Sequence, residues 1–159
     1  MKRELMIVTA AALLWTAGIV AAPLLHGTLT SELLYRSYSV VCHQFEDRSF
    51  HVAGAPFGVC IRCSAVYIGF TAALLLLVAW DRFRTVNWNT HILLAVTAVP
   101  MALDGTADHI GLWQSTAGTR IATGALFGAG LAMLLHADLS GILHSIIQRK
   151  LIPYGTKER

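Results

Sequence analysis

Four stretches of this chain are apolar for long enough to leave water, and that limits the fold more than any other feature of the sequence. A helix needs about 20 apolar residues to cross a hydrocarbon core. Residues 5–25 form one such run, broken only by small or hydroxyl side chains and preceded by Lys2 and Arg3. Residues 59–80 form a second, closed by Asp81, Arg82 and Arg84. A third, shorter run occupies 88–103 and contains Pro100, and a fourth occupies 118–136. Backbone in lipid has to satisfy its own hydrogen bonds, so each run is expected to be helical. The expected fold is all-α: one integral membrane domain over 1–159, a bundle of about four transmembrane helices with interfacial amphipathic helices beside it.

The charge content agrees. Only 13% of the 159 residues are charged, about half of the roughly 25% usual in a soluble domain. The net charge of +3 is mild and no basic stripe is interleaved with aromatics, so nucleic acid is not an expected partner. The first run has a rival reading as a signal peptide, because Val20-Ala21-Ala22 resembles a small-residue cleavage site. Its length and the spans that follow favour a transmembrane helix.

Between the spans lie two polar segments, 26–58 and 104–117. In the first, Leu33, Leu34, Tyr38 and Val41 recur at helical spacing beside Glu32 and Arg36, which predicts a short interfacial helix. Glu46, Asp47, Arg48, Gly54 and Pro56 mark a loop after it. Asp104-Gly105 is expected to end the third span. Gly124, Gly128 and Ala132 are spaced by four and would let a neighbouring helix approach closely. Leu139, Ile142, Leu143, Ile146 and Ile147 form a last amphipathic stretch, expected to lie on the surface. Trp15, Trp80, Trp88 and Trp113 read as membrane anchors, and His26, His91, His136 and His144 as interfacial.

Lys and Arg counts set the expected orientation. Lys2, Arg3, Arg82, Arg84, Arg149, Lys150, Lys157 and Arg159 fall on one side of a four-span arrangement, and Arg36, Arg48, Arg62 and Arg120 on the other. Eight against four puts both termini in the cytoplasm of a multi-pass protein of the cell (inner) membrane, with both polar segments on the outer face.

Two groups of residues carry candidate chemistry there. The first is Cys42-His43 with Cys60-Ile61-Arg62-Cys63. Three cysteines are an odd number, which excludes a closed disulfide framework in a monomer. Three thiolates and one imidazole instead make a four-ligand set, and the sixteen residues between His43 and Cys60 suit a zinc site. Iron is the other candidate ion. Adjacent residues rarely both face one ion, so His51 or water is the alternative fourth ligand. The rival is thiol chemistry, because a helix N-terminus and Arg62 both favour a thiolate at Cys60 or Cys63. Such a Cys-x-x-Cys looks like that of quinone-linked disulfide-generating membrane oxidoreductases, although only Cys42 is left to relay electrons. Burial of the cysteines as small hydrophobes is the third reading.

The second group is Asp104, Asp108, His109, Ser115 and Arg120. Charges at membrane depth are costly and usually pair or serve a site. Asp104 and Arg120 flank one loop and are expected to form an ion pair. In the sharper reading Asp104 or His109 is a general base, Arg120 and Arg48 clamp a phosphate or lipid headgroup, and Asp108-His109 donate metal ligands. Arg48 also reads as part of a solvated cluster with Glu46 and Asp47.

Cys42-His43-Gln44, Arg48-Ser49-Phe50 and Val59-Cys60-x-Arg62-Cys63, with Tyr67 and Gly69, resemble a family of small prokaryotic polytopic membrane proteins of unassigned function. Asp104-Gly105, Gly111, Ser115 and Arg120 with Gly124 fit that family's second motif, so the likeness covers roughly 35–130. Ser64, Ala65 and Asp108-His109 depart from its pattern. The resemblance implies a polytopic protein with a shared Cys/His site and implies no reaction. It strengthens Cys42, His43, Cys60 and Cys63 as metal ligands, and Asp104, Ser115 and Arg120 as site residues.

The leading expectation is a zinc-binding membrane protein whose Asp/Arg pocket would support metal-dependent hydrolysis or transfer on a lipid or phosphate substrate. Whether it is an enzyme stays open at this point. A quinone-linked oxidoreductase using Cys60 and Cys63, and a non-catalytic small subunit of a larger membrane complex or a homo-oligomer, are the alternatives.

Overall fold

The computed structural model of the chain describes residues 2–79 and 89–151, with side chains described up to residue 139. It is helical apart from one small hairpin. Helix α1 is Lys2–Leu24, α2 is Leu29–Ser39, α3 is Ile61–Ala79, α4 is Thr90–His109 and α5 is Ala117–Leu151. Strands β1 (His51–Val52) and β2 (Ala55–Pro56) pair antiparallel. Ala53 and Gly54 both take positive φ at the hairpin tip, the twist that a two-residue turn needs.

Among the described residues four segments are long and apolar enough to cross a membrane: Arg3–Leu24, Ile61–Ala79, Thr90–His109 and Ala117–Leu139. The main helix contacts run in the order α1–α3–α5–α4, with α3 against α5 the most extensive. The glycine spacing explains that contact. A Cβ on Gly128 would lie 2.1 Å from the Val66 carbonyl oxygen, and one on Gly69 would lie 2.3 Å from that of Ala125. Hydrogen at these positions brings two backbones together, which is how helices associate where lipid removes the hydrophobic drive between them.

α1 is tied to the polar segment by its own chemistry. Pro23 sits inside the helix and has no N–H, which frees the Ile19 carbonyl four residues earlier. The Gly58 N–H donates to that carbonyl at 3.1 Å. Ser31 Oγ donates to Ala22 O at 2.7 Å, and Tyr38 Oη donates to Trp15 O at 2.7 Å. Thr28 caps α2, accepting from Ser31 N at 3.2 Å. Leu5, Ile19, Ala22, Val59 and Leu74 are buried in the resulting core.

Several expectations need correcting. The third span does not stop at Asp104-Gly105: α4 continues to His109. A glycine costs a helix about 1 kcal/mol relative to alanine, but a Cβ at Gly105 would come within 3.3 Å of Arg62 Nη1. The glycine thus leaves room beside the guanidinium that pairs with Asp104. The last amphipathic stretch is not a separate surface helix, because α5 runs unbroken to Leu151. Its 35 residues extend about 52 Å, so its end projects beyond a core about 30 Å thick. His136, close to the end of the span Ala117–Leu139, is buried. Trp15 packs edge-on against Tyr38 at 4.9 Å and lies near Tyr67 at 6.0 Å. Trp80 and Trp88 lie outside the described residues, as does the His144 side chain.

Candidate functional site: a cysteine cluster beside an arginine–aspartate network

The C-terminal end of α1, the N-terminal ends of α3 and α5 and the C-terminal end of α4 lie at one end of the helix row. The two motifs meet there. Cys42, Cys60 and Cys63 bring their sulfur atoms within 4.8 Å of one another. Cys42 arrives from the turn after α2, and the other two bracket the first turn of α3. Gln44, held at φ 53°, secures that turn. Its Nε2 donates to Tyr35 O at 2.8 Å and to Gly58 O at 2.7 Å. Tyr35 Oη in turn donates to Pro56 O. Gln44 therefore ties the end of α2 to the segment that leads into Cys60.

Cys42 Sγ accepts from the backbone N–H groups of Gln44 at 3.4 Å and Cys60 at 3.3 Å. The thiols of Cys60 and Cys63 also donate toward it. Together these donors hold the Cys42 thiol far below its ordinary pKa, against the opposing effect of burial. Hydrogen bonds to the charged form are the cause. None of the three cysteines is in a disulfide.

His43 is not in this group. Its ring stacks on Phe45 at 5.7 Å and faces the same cavity. The proposed His51 alternative stands 3.9 Å from Glu46, exposed, and is not in the group either. His43 thus lines the cavity beside the sulfur cluster without joining it.

The second motif forms a network of three arginines and two aspartates. Arg62 pairs with Asp104, and its Nη2 also donates to Ser115 Oγ at 3.2 Å. Ser115 Oγ donates to Asp104 O at 3.1 Å, and its N–H donates to Asp108 Oδ1 at 3.0 Å. Asp108 Oδ2 receives Arg120 Nη2 at 3.2 Å and Arg48 Nη1 at 3.3 Å. The expected Asp104–Arg120 pair is thus replaced by Arg62–Asp104 and Arg120–Asp108. Continuation of α4 past Gly105 is the reason, because it sets Asp108 one turn beyond Asp104 on the same face.

Asp104, Ser115, Arg120 and Arg48 all join this network. His109 instead lines an outer recess with His43, Phe45, Asp47 and Arg48. Sequence reasoning undervalued two members. In the sequence Arg62 stands out as a helper of the thiols, and Asp108 as a candidate metal ligand that departs from the family pattern, with neither marked as an ion-pair partner. The one available signal was that Asp104 and Asp108 are four apart, the spacing of one helix face.

Cysteines and arginines share a cavity of about 230 Å³, lined among others by Cys42, Cys60, Cys63, Arg48, Arg62 and Arg120. Arg62 Nε is buried there without a hydrogen-bond partner among the described residues.

Fold and site together define a polytopic helical membrane protein with a thiol cluster and an ionic network at one end of its spans. The chain belongs to the family described as predicted membrane protein (DUF2085), whose match covers residues 42–134, more than half of the 159. It is similar to an uncharacterized protein of Methanocaldococcus jannaschii, 36% identical over 99 residues, 60% of this chain and 61% of that one. The match therefore spans less than two thirds of that relative. An uncharacterized protein of Methanothermobacter thermautotrophicus is 31% identical over 108 residues, 67% of this chain and 95% of the other. No solved structure matches the chain.

Proposed function

We propose that this is a membrane metal protein in which Cys42, Cys60 and Cys63 hold one soft divalent ion, zinc in first place and iron in second. The observation that carries this reading is the convergence of three sulfur atoms within 4.8 Å from two separate segments. A tetrahedral zinc with bonds of about 2.3 Å sets its thiolates about 3.8 Å apart, so small side-chain rotations close the set. Three protein ligands leave a fourth position, and the cavity supplies room for it. A ligand or water there would be polarised by the ion, beside Arg48, Arg62 and Arg120. On this reading Asp104, Asp108 and Ser115 hold the arginines in place, and hydrolysis or transfer on an anionic substrate is the reaction class.

The Lys and Arg distribution supports cytoplasmic termini and an outward-facing site, within a single membrane domain. The test is metal content per chain in detergent-purified protein, with Cys60→Ser alongside. About one ion per chain, lost in the variant, is expected. Metal-free protein with two of the cysteines joined in a disulfide, seen as a gel shift after alkylation, would overturn this reading in favour of thiol oxidation. A metal-free, fully reduced chain that co-purifies with a partner at fixed stoichiometry would favour the role of a small subunit.

A further inference from the structure

The cavity beside the cysteines has a neighbour. A recess of about 540 Å³ at the polar end is lined by His43, Phe45, Asp47, Arg48 and His109. Three of these, His43, Phe45 and Arg48, also line the cavity that holds the cysteines. The same three side chains touch one another. The His43 ring stacks on Phe45 with centroids 5.7 Å and planes 5° apart, and the Arg48 guanidinium carbon lies 5.7 Å from the Phe45 centroid. Phe45 is thus the centre of a partition between the sulfur cluster and the recess.

This partition is held by contacts that are easily given up. Phe45 is 54% exposed and leads into the single helical turn Glu46–Arg48. Arg48 meets Asp47, which is itself exposed, at 3.6 Å, and Asp108 at 3.3 Å. Asp108 keeps Arg120 when Arg48 leaves. Exposed ion pairs contribute little, and so do aromatic and cation–π contacts at a surface. Displacing the partition therefore leaves the Arg62–Asp104 and Arg120–Asp108 pairs in place. Another recess, lined by Asp108, Trp113 and Ser115 among others, meets the cysteine cavity at Arg48 and Arg120. Asp108 bridges those two guanidiniums, so ion pairs bar that side.

We propose that the recess at His43 and His109 is the entrance through which a hydrated divalent cation reaches the cysteines, with His43, Phe45 and Arg48 as its gate. The lining selects the passenger. Two imidazoles and the Asp47 carboxylate are ligand types that zinc and iron(II) accept. They do not form a second resting place: among the described residues only the three cysteines bring their ligand atoms close enough together to hold an ion. Scattered donors hand an ion on to the converged thiolates. Arg48 in its closed position adds a like charge to the path, and its departure removes that barrier. The identity of the passenger rests on the metal reading. The route does not, because any small water-borne thiol reagent would take it.

Reduced, chelator-stripped protein in nanodiscs reads the route directly. A permanently charged, membrane-impermeant methanethiosulfonate modifies the cysteines at a rate followed by intact mass. Phe45→Ala removes both contacts on the ring and should raise that rate about tenfold. His109→Trp, at an exposed position of the recess alone, should lower it, and a slower rate cannot come from unfolding. Trp113→Ala, in the other recess, should leave it unchanged. Zinc uptake by the stripped protein should follow the same order of rates, with the final content equal in all variants. Modification rates that stay at the wild-type value in both Phe45→Ala and His109→Trp would overturn the proposal, whatever the metal content. Acceleration by Trp113→Ala would overturn it in favour of the other recess. Rates in the expected order, in a chain that takes up no zinc or iron, would uphold the route and overturn the cation as its passenger.

Discussion

Cys60, Cys63 and Arg62 share the first turn of α3, yet the two sides of that turn are built differently. On the sulfur side, three soft donors converge, and among the described residues Cys42 accepts from two backbone N–H groups. On the guanidinium side, each charge meets an opposite charge, and Ser115 joins the two aspartates through its N–H and hydroxyl. The sulfur side thus offers three converging ligand atoms, whereas on the ionic side each arginine already has an aspartate partner and Arg62 Nε is left without one among the described residues.

The comparison breaks most decisively at Cys60. Cys60→Ser should take metal from about one ion per chain to none and lower thermal stability steeply. Structural thiolate sites contribute on the order of 10 kcal/mol or more to the folded state. Retention of metal in that variant, read by mass spectrometry of the purified protein, would remove the distinction between the two sides.

Asp108→Asn tests the ionic side. Arg120 would lose its carboxylate partner, and a loss of stability is expected, visible as a lower melting temperature in detergent. Metal content should not change. Adding Arg120→Ala should cost less than the sum of the two single changes, because the pair acts as a unit.

Arg48 belongs to the same network but is 45% exposed. Arg48→Ala should therefore cost under about 1 kcal/mol. An effect as large as that of Asp108→Asn would show that Arg48 is a structural member of the network. The smallest effect is expected at His43. His43→Ala removes the stack on Phe45 and no sulfur ligand, so metal content should stay at the wild-type value. Loss of the ion there would return His43 to the ligand set and give the sulfur side a fourth member.

The bundle could be read from the sequence because lipid imposes a strict rule: long apolar runs have to be helices. The α2 periodicity and the glycine spacing of α5 were visible for the same kind of local reason. The end of α4 was not. Asp-Gly is a common turn signal, yet here it lies inside α4, with Arg62 from another helix against it. The pairing of charges was hidden too. Asp104 and Arg120 are near in sequence, but partners are chosen by distance in space.

What the sequence determined alone was therefore what depends on hydropathy and periodicity: helical spans, a polar end and the residue types gathered there. Tertiary structure decided which of those residues meet. It drew Cys42 across to Cys60 through Gln44, left His43 outside the sulfur cluster, and paired Asp104 with Arg62 and Asp108 with both Arg120 and Arg48. The physical reason is that burial in lipid is a property of each segment taken singly. Coordination and ion pairing depend on distances between segments, and only packing sets those.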